Sequence, residues 1–198
     1  MTRPRIRIVA TEVPPGAGER SDDELMVLVR ADQRQSFREL VARHELTVFG
    51  FAARYLGDRV LAEDACQVTF VRLWQQRGQY DPRGRFRAFL LTLCLNTCRE
   101  LSHGRRRRRA ALERLARQST EQPDSSNEAL LLQRERESVV ERVIARLPRR
   151  AREAVLLRFC GEASYAEMSR ILGSSEVALR SRVHDALKRL RHLLREAP

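Results

Sequence analysis

Apolar residues recur along this chain at intervals of three and four, the spacing of one face of an α-helix, and no stretch after the first twenty positions alternates apolar with polar residues as a strand does. Ser21 followed by Asp22, Asp23 and Glu24 reads as a helix start, with Glu24 at the capping-box position ahead of Leu25, Leu28 and Val29. A second helix is expected over Phe37, Leu40, Val41, Val48, Phe51 and Ala52, ending towards Gly57, and a third over Leu61 to Trp74. Pro82, flanked by Gly78 and Gly84, interrupts the pattern, which resumes as a strongly apolar helix from Phe86 to Leu101. Further on, helices are expected from Leu130 to Leu147, stopped by Pro148, and from Arg149 to Phe159. The expected class is all-α.

The interruptions divide the chain. Residues 1–20 carry Pro4, Pro14, Pro15, Gly16 and Gly18 without a sustained period and read as a flexible basic tail. A helical domain over 21–103 is followed by a linker over 104–129, opening with the run Arg105, Arg106, Arg107, Arg108 and Arg109 and continuing as a polar stretch rich in Ser, Gln and Asp. The first part of that linker is open to being an extension of the preceding helix. A second small helical domain occupies 130–196.

Its strongest local signal is a pair of helices around a glycine turn. Ser164 caps the first, which ends at Gly173, and the second starts after Ser174 or Ser175, the layout of a helix-turn-helix. In the second helix Leu179, Val183, Ala186, Leu187, Leu190 and Leu194 form one stripe, which leaves Ser175, Arg180, Ser181, Arg182, His184, Asp185 and Lys188 on the side that a major groove would meet. The formal charge of +12 favours a polyanionic partner and so supports this reading over a merely solvated helix face. No apolar run is long enough to cross a bilayer and the first ten residues lack a signal-peptide core, so no membrane insertion and a cytoplasmic location are expected. Cys66, Cys94, Cys98 and Cys160 lack zinc-site spacing and read as reduced structural thiols, with redox or metal sensing by the Cys94 and Cys98 pair left open. The carboxylates sit at helix starts or between arginines rather than in clusters, which argues against a nucleic-acid hydrolase; no catalytic residue, metal site or cofactor is expected.

Two sets of motifs carry a resemblance. The segment Leu147-Pro, Arg152-Glu-Ala-Val-Leu-Leu-Arg158, Ser164-Tyr with Glu167-Met, and Leu179-Arg-Ser-Arg-Val is similar to the C-terminal domain of bacterial RNA polymerase sigma factors of the extracytoplasmic-function type. Ala62-Glu-Asp-Ala-Cys-Gln-Val-Thr-Phe-Val-Arg-Leu-Trp74, followed by Phe86-Arg-Ala-Phe-Leu90 and Asn96, resembles the N-terminal domain of the same family. The resemblance implies binding to core polymerase through Asp64, Gln67 and Arg72. It implies −10 element recognition and melting by Tyr80, Arg83, Arg85, Phe86, Asn96, Arg99 and Glu100, side-chain types suited to holding an unstacked base. It further implies −35 element recognition by the helix-turn-helix, with the arginine run adding phosphate contacts. Promoter DNA, core RNA polymerase and an anti-sigma factor are the implied partners. The chain departs from the family pattern at Val68, where a carboxylate is usual, at Val177 and at Asp185. The competing reading is an autonomous helix-turn-helix regulator, which leaves the N-terminal motifs without a purpose.

Overall fold

The computed structural model describes residues 20–118 and 139–196, and among them the chain is helical without a strand, as the periodicity requires. Helix α1 (Asp22–Arg30) begins with the expected capping box: the Ser21 N–H donates to Glu24 at 2.7 Å and the Glu24 N–H donates to Ser21 Oγ at 3.3 Å. Helix α2 (Arg34–Leu56) stops at Gly57, whose φ of 61° and N–H bond to the Ala53 carbonyl form a left-handed cap that a β-carbon would strain. Asp22 joins the two helices by accepting from Arg43 at 3.2 Å and from His44 at 2.7 Å. Burial works against the Asp22 carboxylate, but these partners outweigh it and hold the carboxyl below its usual range.

Helix α3 (Arg59–Gln75) starts two residues before the apolar pattern indicates, because Asp58 caps it by accepting from the Leu61 N–H at 3.1 Å. After a short 3-10 turn (Arg77–Gln79), helix α4 (Phe86–Gln118) continues without a break through Gly104 and the arginine run. The first part of the expected linker is therefore helix, while its remainder, the first nineteen residues of the tail expected over 1–20 and the start of the Leu130 helix lie outside the described residues. Leu25, Leu40, Phe51, Leu73, Leu91 and Leu95 are fully enclosed where α1 to α4 meet. Cys66, Cys94 and Cys98 are buried in the same core as free thiols. Burial pushes the Cys66 thiol up to about 11, and the contact with Cys98 together with burial pushes Cys94 higher than an ordinary thiol, so neither forms the reactive thiolate at neutral pH. This favours the structural role for these residues.

The C-terminal part consists of α5 (Val139–Ala145), α6 (Arg149–Phe159), α7 (Tyr165–Leu172) and α8 (Glu176–Arg195), packed around Leu156, Leu157, Met168 and Leu179. Its apolar cluster is continuous with that of α1 to α4, with α2 lying against α5 and α6, and α4 against α7.

Candidate nucleic-acid interface

The turn of the helix-turn-helix is built by three local devices. Ser164 and Glu167 form a second capping box at the start of α7, Gly173 ends it in the left-handed region with φ 62°, and Ser175 caps α8 by accepting from the Ala178 N–H at 3.3 Å. The Ser175 hydroxyl is thus committed to the cap. Leu179, Val183 and Ala186 are buried against α6 and α7, so the opposite side of α8 faces solvent with Val177, Arg180, Ser181, His184, Asp185 and Lys188. Arg182, half-buried, lies along a shallow groove beside Leu147, Pro148 and Ala151, and the exposed Asp185 stands at the edge of the same groove. Ser181 Oγ reaches the Asp185 carboxylate at 3.4 Å.

Arg180 does not extend freely. Its guanidinium lies 4.4 Å from the centre of the Tyr165 ring and 3.7 Å from the Glu176 carboxylate, while Arg158 approaches the same ring at 5.3 Å. Stacking restricts the rotamers of a long side chain before any ligand arrives, which lowers the entropy lost on binding. Sequence reasoning alone does not single out Tyr165 or Arg158 as functional. The signal is weak, because Tyr165 is fifteen positions before Arg180 and only the turn brings them together.

In the N-terminal part, Asp64 and Gln67 are exposed on α3 together with Val68 and Val71. A polar surface interrupted by two exposed valines suits a protein interface. Arg72 is turned away from that surface: it donates to Thr97 at 3.2 Å and pairs with both Glu100 oxygens at 3.0 and 2.5 Å, bracing α3 on α4. These bonds hold the Glu100 carboxyl below its usual range. Arg72 and Glu100, expected at two separate interfaces, are brought together as one ion pair.

The loop between the 3-10 turn and α4 separates its aromatic residues from its cations. Tyr80 and Phe86 are buried, so neither ring is presented to a base in this arrangement. Tyr80 packs 6.1 Å from Phe86 and 5.3 Å from Phe89, and its hydroxyl donates to the Asp23 carboxylate, which also accepts from the Gly84 N–H. Burial first, then the Asp23 hydrogen bond, raises the Tyr80 pKa and keeps the hydroxyl protonated. Arg83 and Arg85 remain exposed, with Arg83 2.8 Å from Asp81, and Asn96 is exposed on α4. Asp23→Asn is expected to lower the stability of the protein by about 1 kcal/mol in chemical denaturation, because one of the two donors loses its acceptor and the other keeps only a neutral one. Unchanged stability would show that Asp23 does not hold the loop.

Past the loop, Arg105, Arg106, Arg107 and Arg108 are exposed on α4, with Arg105 3.5 Å from Asp58; the side chain of Arg109 lies outside the described residues. Among the described residues no cluster of His, Cys, Asp or Glu is suited to hold a metal ion. No helix among them is long and apolar enough to cross a membrane.

Exposed cations on a helix-turn-helix and a second cationic strip on α4, beside a separate mixed surface on α3, are the features of a helical DNA-binding protein. Residues 40–110 match the family model of sigma-70 region 2, and residues 138–190 match that of sigma-70 region 4. The RNA polymerase sigma factor CarQ of Myxococcus xanthus is 33% identical over 169 residues, spanning 84% of this chain and 94% of CarQ. The extracytoplasmic-function sigma factor SigK of Mycobacterium ulcerans is 29% identical, spanning 91% of this chain and 97% of SigK. Among solved structures, CnrH in complex with the cytosolic domain of CnrY superimposes with a TM-score of 0.67 at 28% identity, covering 89% of this chain and 99% of CnrH. The chain belongs to the extracytoplasmic-function group of RNA polymerase sigma factors, and it directs transcription initiation at promoters.

Proposed function

We propose that 21–103 docks on core polymerase and reads the −10 element while 130–196 reads the −35 element, with no chemical step of its own. The exposed, cation-bearing face of α8 beside the Tyr165 stack carries this reading, because it is a preformed surface of the width and charge a major groove accepts. Asp64 and Gln67 contact the polymerase, with Val68 and Val71 supplying apolar area at the same face. Arg83, Arg85 and Asn96 meet the −10 strand. Tyr80 and Phe86 act by fixing the loop that presents Arg83 and Arg85, and Arg72 with Glu100 fixes the helix pair behind it. Ser175 positions the start of the recognition helix; Arg180, Ser181, His184 and Lys188 face the −35 groove, and Arg182 and Asp185 flank it.

The protein works in the cytoplasm, associated with the nucleoid when in holoenzyme. The solved relative CnrH is seen bound to a cytosolic domain of CnrY, which supports control of the present chain by an anti-sigma factor that covers the same surfaces.

The arginine strip adds affinity without sequence preference. Replacing Arg105 to Arg108 by serine is expected to weaken holoenzyme binding to every promoter alike and to flatten the log-log dependence of affinity on salt by about 0.9 for each phosphate that is no longer neutralised. Filter binding across a salt series measures this; an unchanged slope means that the strip does not touch DNA. Asp64→Ala with Gln67→Ala is the matching test of the α3 face, and retained affinity for core polymerase would refute its assignment.

A further inference from the structure

Folding gives no reason for the side chain near the start of α8. Val177, the second residue of that helix, is 77% exposed, and among the described large apolar residues only Leu46 is more so. A β-branched residue loses side-chain freedom in a helix, and an exposed one recovers nothing by burial. The position is also one at which the chain departs from its family's pattern.

The surroundings of Val177 direct it outward. Ser175 caps the helix on the Ala178 N–H at 3.3 Å, and Leu179 and Val183 are buried beneath, so the rotation of the first turn is fixed. Val177 precedes Leu179 by two positions, about 200° around the helix, and therefore points away from the core. Its neighbours on the helix surface are Arg180 and Ser181, three and four positions on. Both already have partners: the Arg180 guanidinium lies over the Tyr165 ring at 4.4 Å and 3.7 Å from Glu176, and Ser181 Oγ lies 3.4 Å from the Asp185 carboxylate. The valine methyl groups are left as an apolar point at the leading end of a cationic face.

A major groove offers one apolar group to such a point, the 5-methyl of thymine. Everywhere else on the base edges it presents donors and acceptors. Valine pressed against those would displace their water and replace none of its hydrogen bonds, which is unfavourable. We propose that Val177 is a specificity-determining residue whose methyl groups contact the 5-methyl group of a thymine in the −35 element. The contact rests on the sigma-factor reading. It neutralises no phosphate, so it acts on base preference and leaves the salt dependence of binding unchanged.

The test removes a methyl group from the DNA and the apolar side chain from the protein, separately and together. Holoenzyme is assembled from core polymerase and the full chain on a promoter that requires the protein. Each thymine of the −35 element, on either strand, is replaced in turn by deoxyuridine, which lacks only the 5-methyl group. At one thymine the replacement is expected to weaken wild-type holoenzyme about fourfold in competition binding, the effect of exposing one methyl group, and to leave Val177→Ser holoenzyme unaffected. At every other thymine the two should respond alike. Val177→Ile keeps an apolar tip and should keep the sensitivity, and both variants should melt with the wild type because the position is on the surface. A −35 element without a T·A pair, deoxyuridine tolerated at every position, or a sensitivity that Val177→Ser retains in full would each overturn the contact while the sigma-factor reading stands. Failure of the wild-type protein to direct core polymerase to any promoter would reject that reading, and the contact with it.

Discussion

Phe51→Ala is expected to remove about 3–5 kcal/mol of stability, the range for emptying a large, fully enclosed aromatic site. Phe51 is fully buried towards the C-terminal end of α2 and stacks on Tyr55 with ring centres 6.2 Å apart. Alanine would leave a cavity in the core where α1 to α4 meet, next to Tyr55, which α2 carries towards the second domain. A small domain has only about 5–15 kcal/mol in total, so the variant should be largely unfolded at temperatures the wild type tolerates. Leu46 on the same helix is 80% exposed, and Leu46→Ala should change stability by no more than about 0.5 kcal/mol. Thermal melts followed by circular dichroism distinguish the two; similar losses for both would mean that the core is not centred where the structure puts it.

The second large effect is on DNA. Arg180→Ala is expected to weaken −35 recognition by about 1–3 kcal/mol, or roughly 5- to 150-fold in affinity, if Arg180 makes a bidentate contact to a base. The loss should be concentrated at one or two positions of the −35 element. A phosphate contact would instead produce a smaller loss spread evenly over all sequences. The stack on Tyr165 makes a separate contribution: Tyr165→Leu keeps Arg180 but frees it, so affinity should fall by less than in Arg180→Ala and base preference should persist. Competition with single-base variants of the element measures both. Full affinity and unchanged preference in Arg180→Ala would remove the residue from the interface.

Much of the architecture could be read from short stretches of sequence, because the devices that set it are local. Both capping boxes, Ser21 with Glu24 and Ser164 with Glu167, join residues three positions apart, and the left-handed stops at Gly57 and Gly173 need only one. The stripe of α8 likewise follows from helical periodicity alone. What could not be read are side-chain fates decided by distant partners. Tyr80 is a suitable base-stacking residue by type, yet Asp23, 57 positions earlier, draws it into the core. Arg72 resembles a docking residue until Glu100, 28 positions later, claims it. Arg99 pairs with Glu153, 54 positions later in the other domain, and neither stands out in a pattern of charges dominated by arginine. The arginine run could be linker or helix by composition, and the unbroken path of α4 settles it as helix.

Promoter choice conferred on polymerase through two separated DNA readers is tested most directly by transcription in vitro. Sigma-free core enzyme would be given a genomic promoter library, with and without the purified protein. The expected result is a set of transcripts that require the protein and share two upstream elements at constant spacing. Confirmed binding of the protein to core enzyme with no protein-dependent transcript, or a free-protein footprint on DNA that core enzyme does not alter, would contradict it.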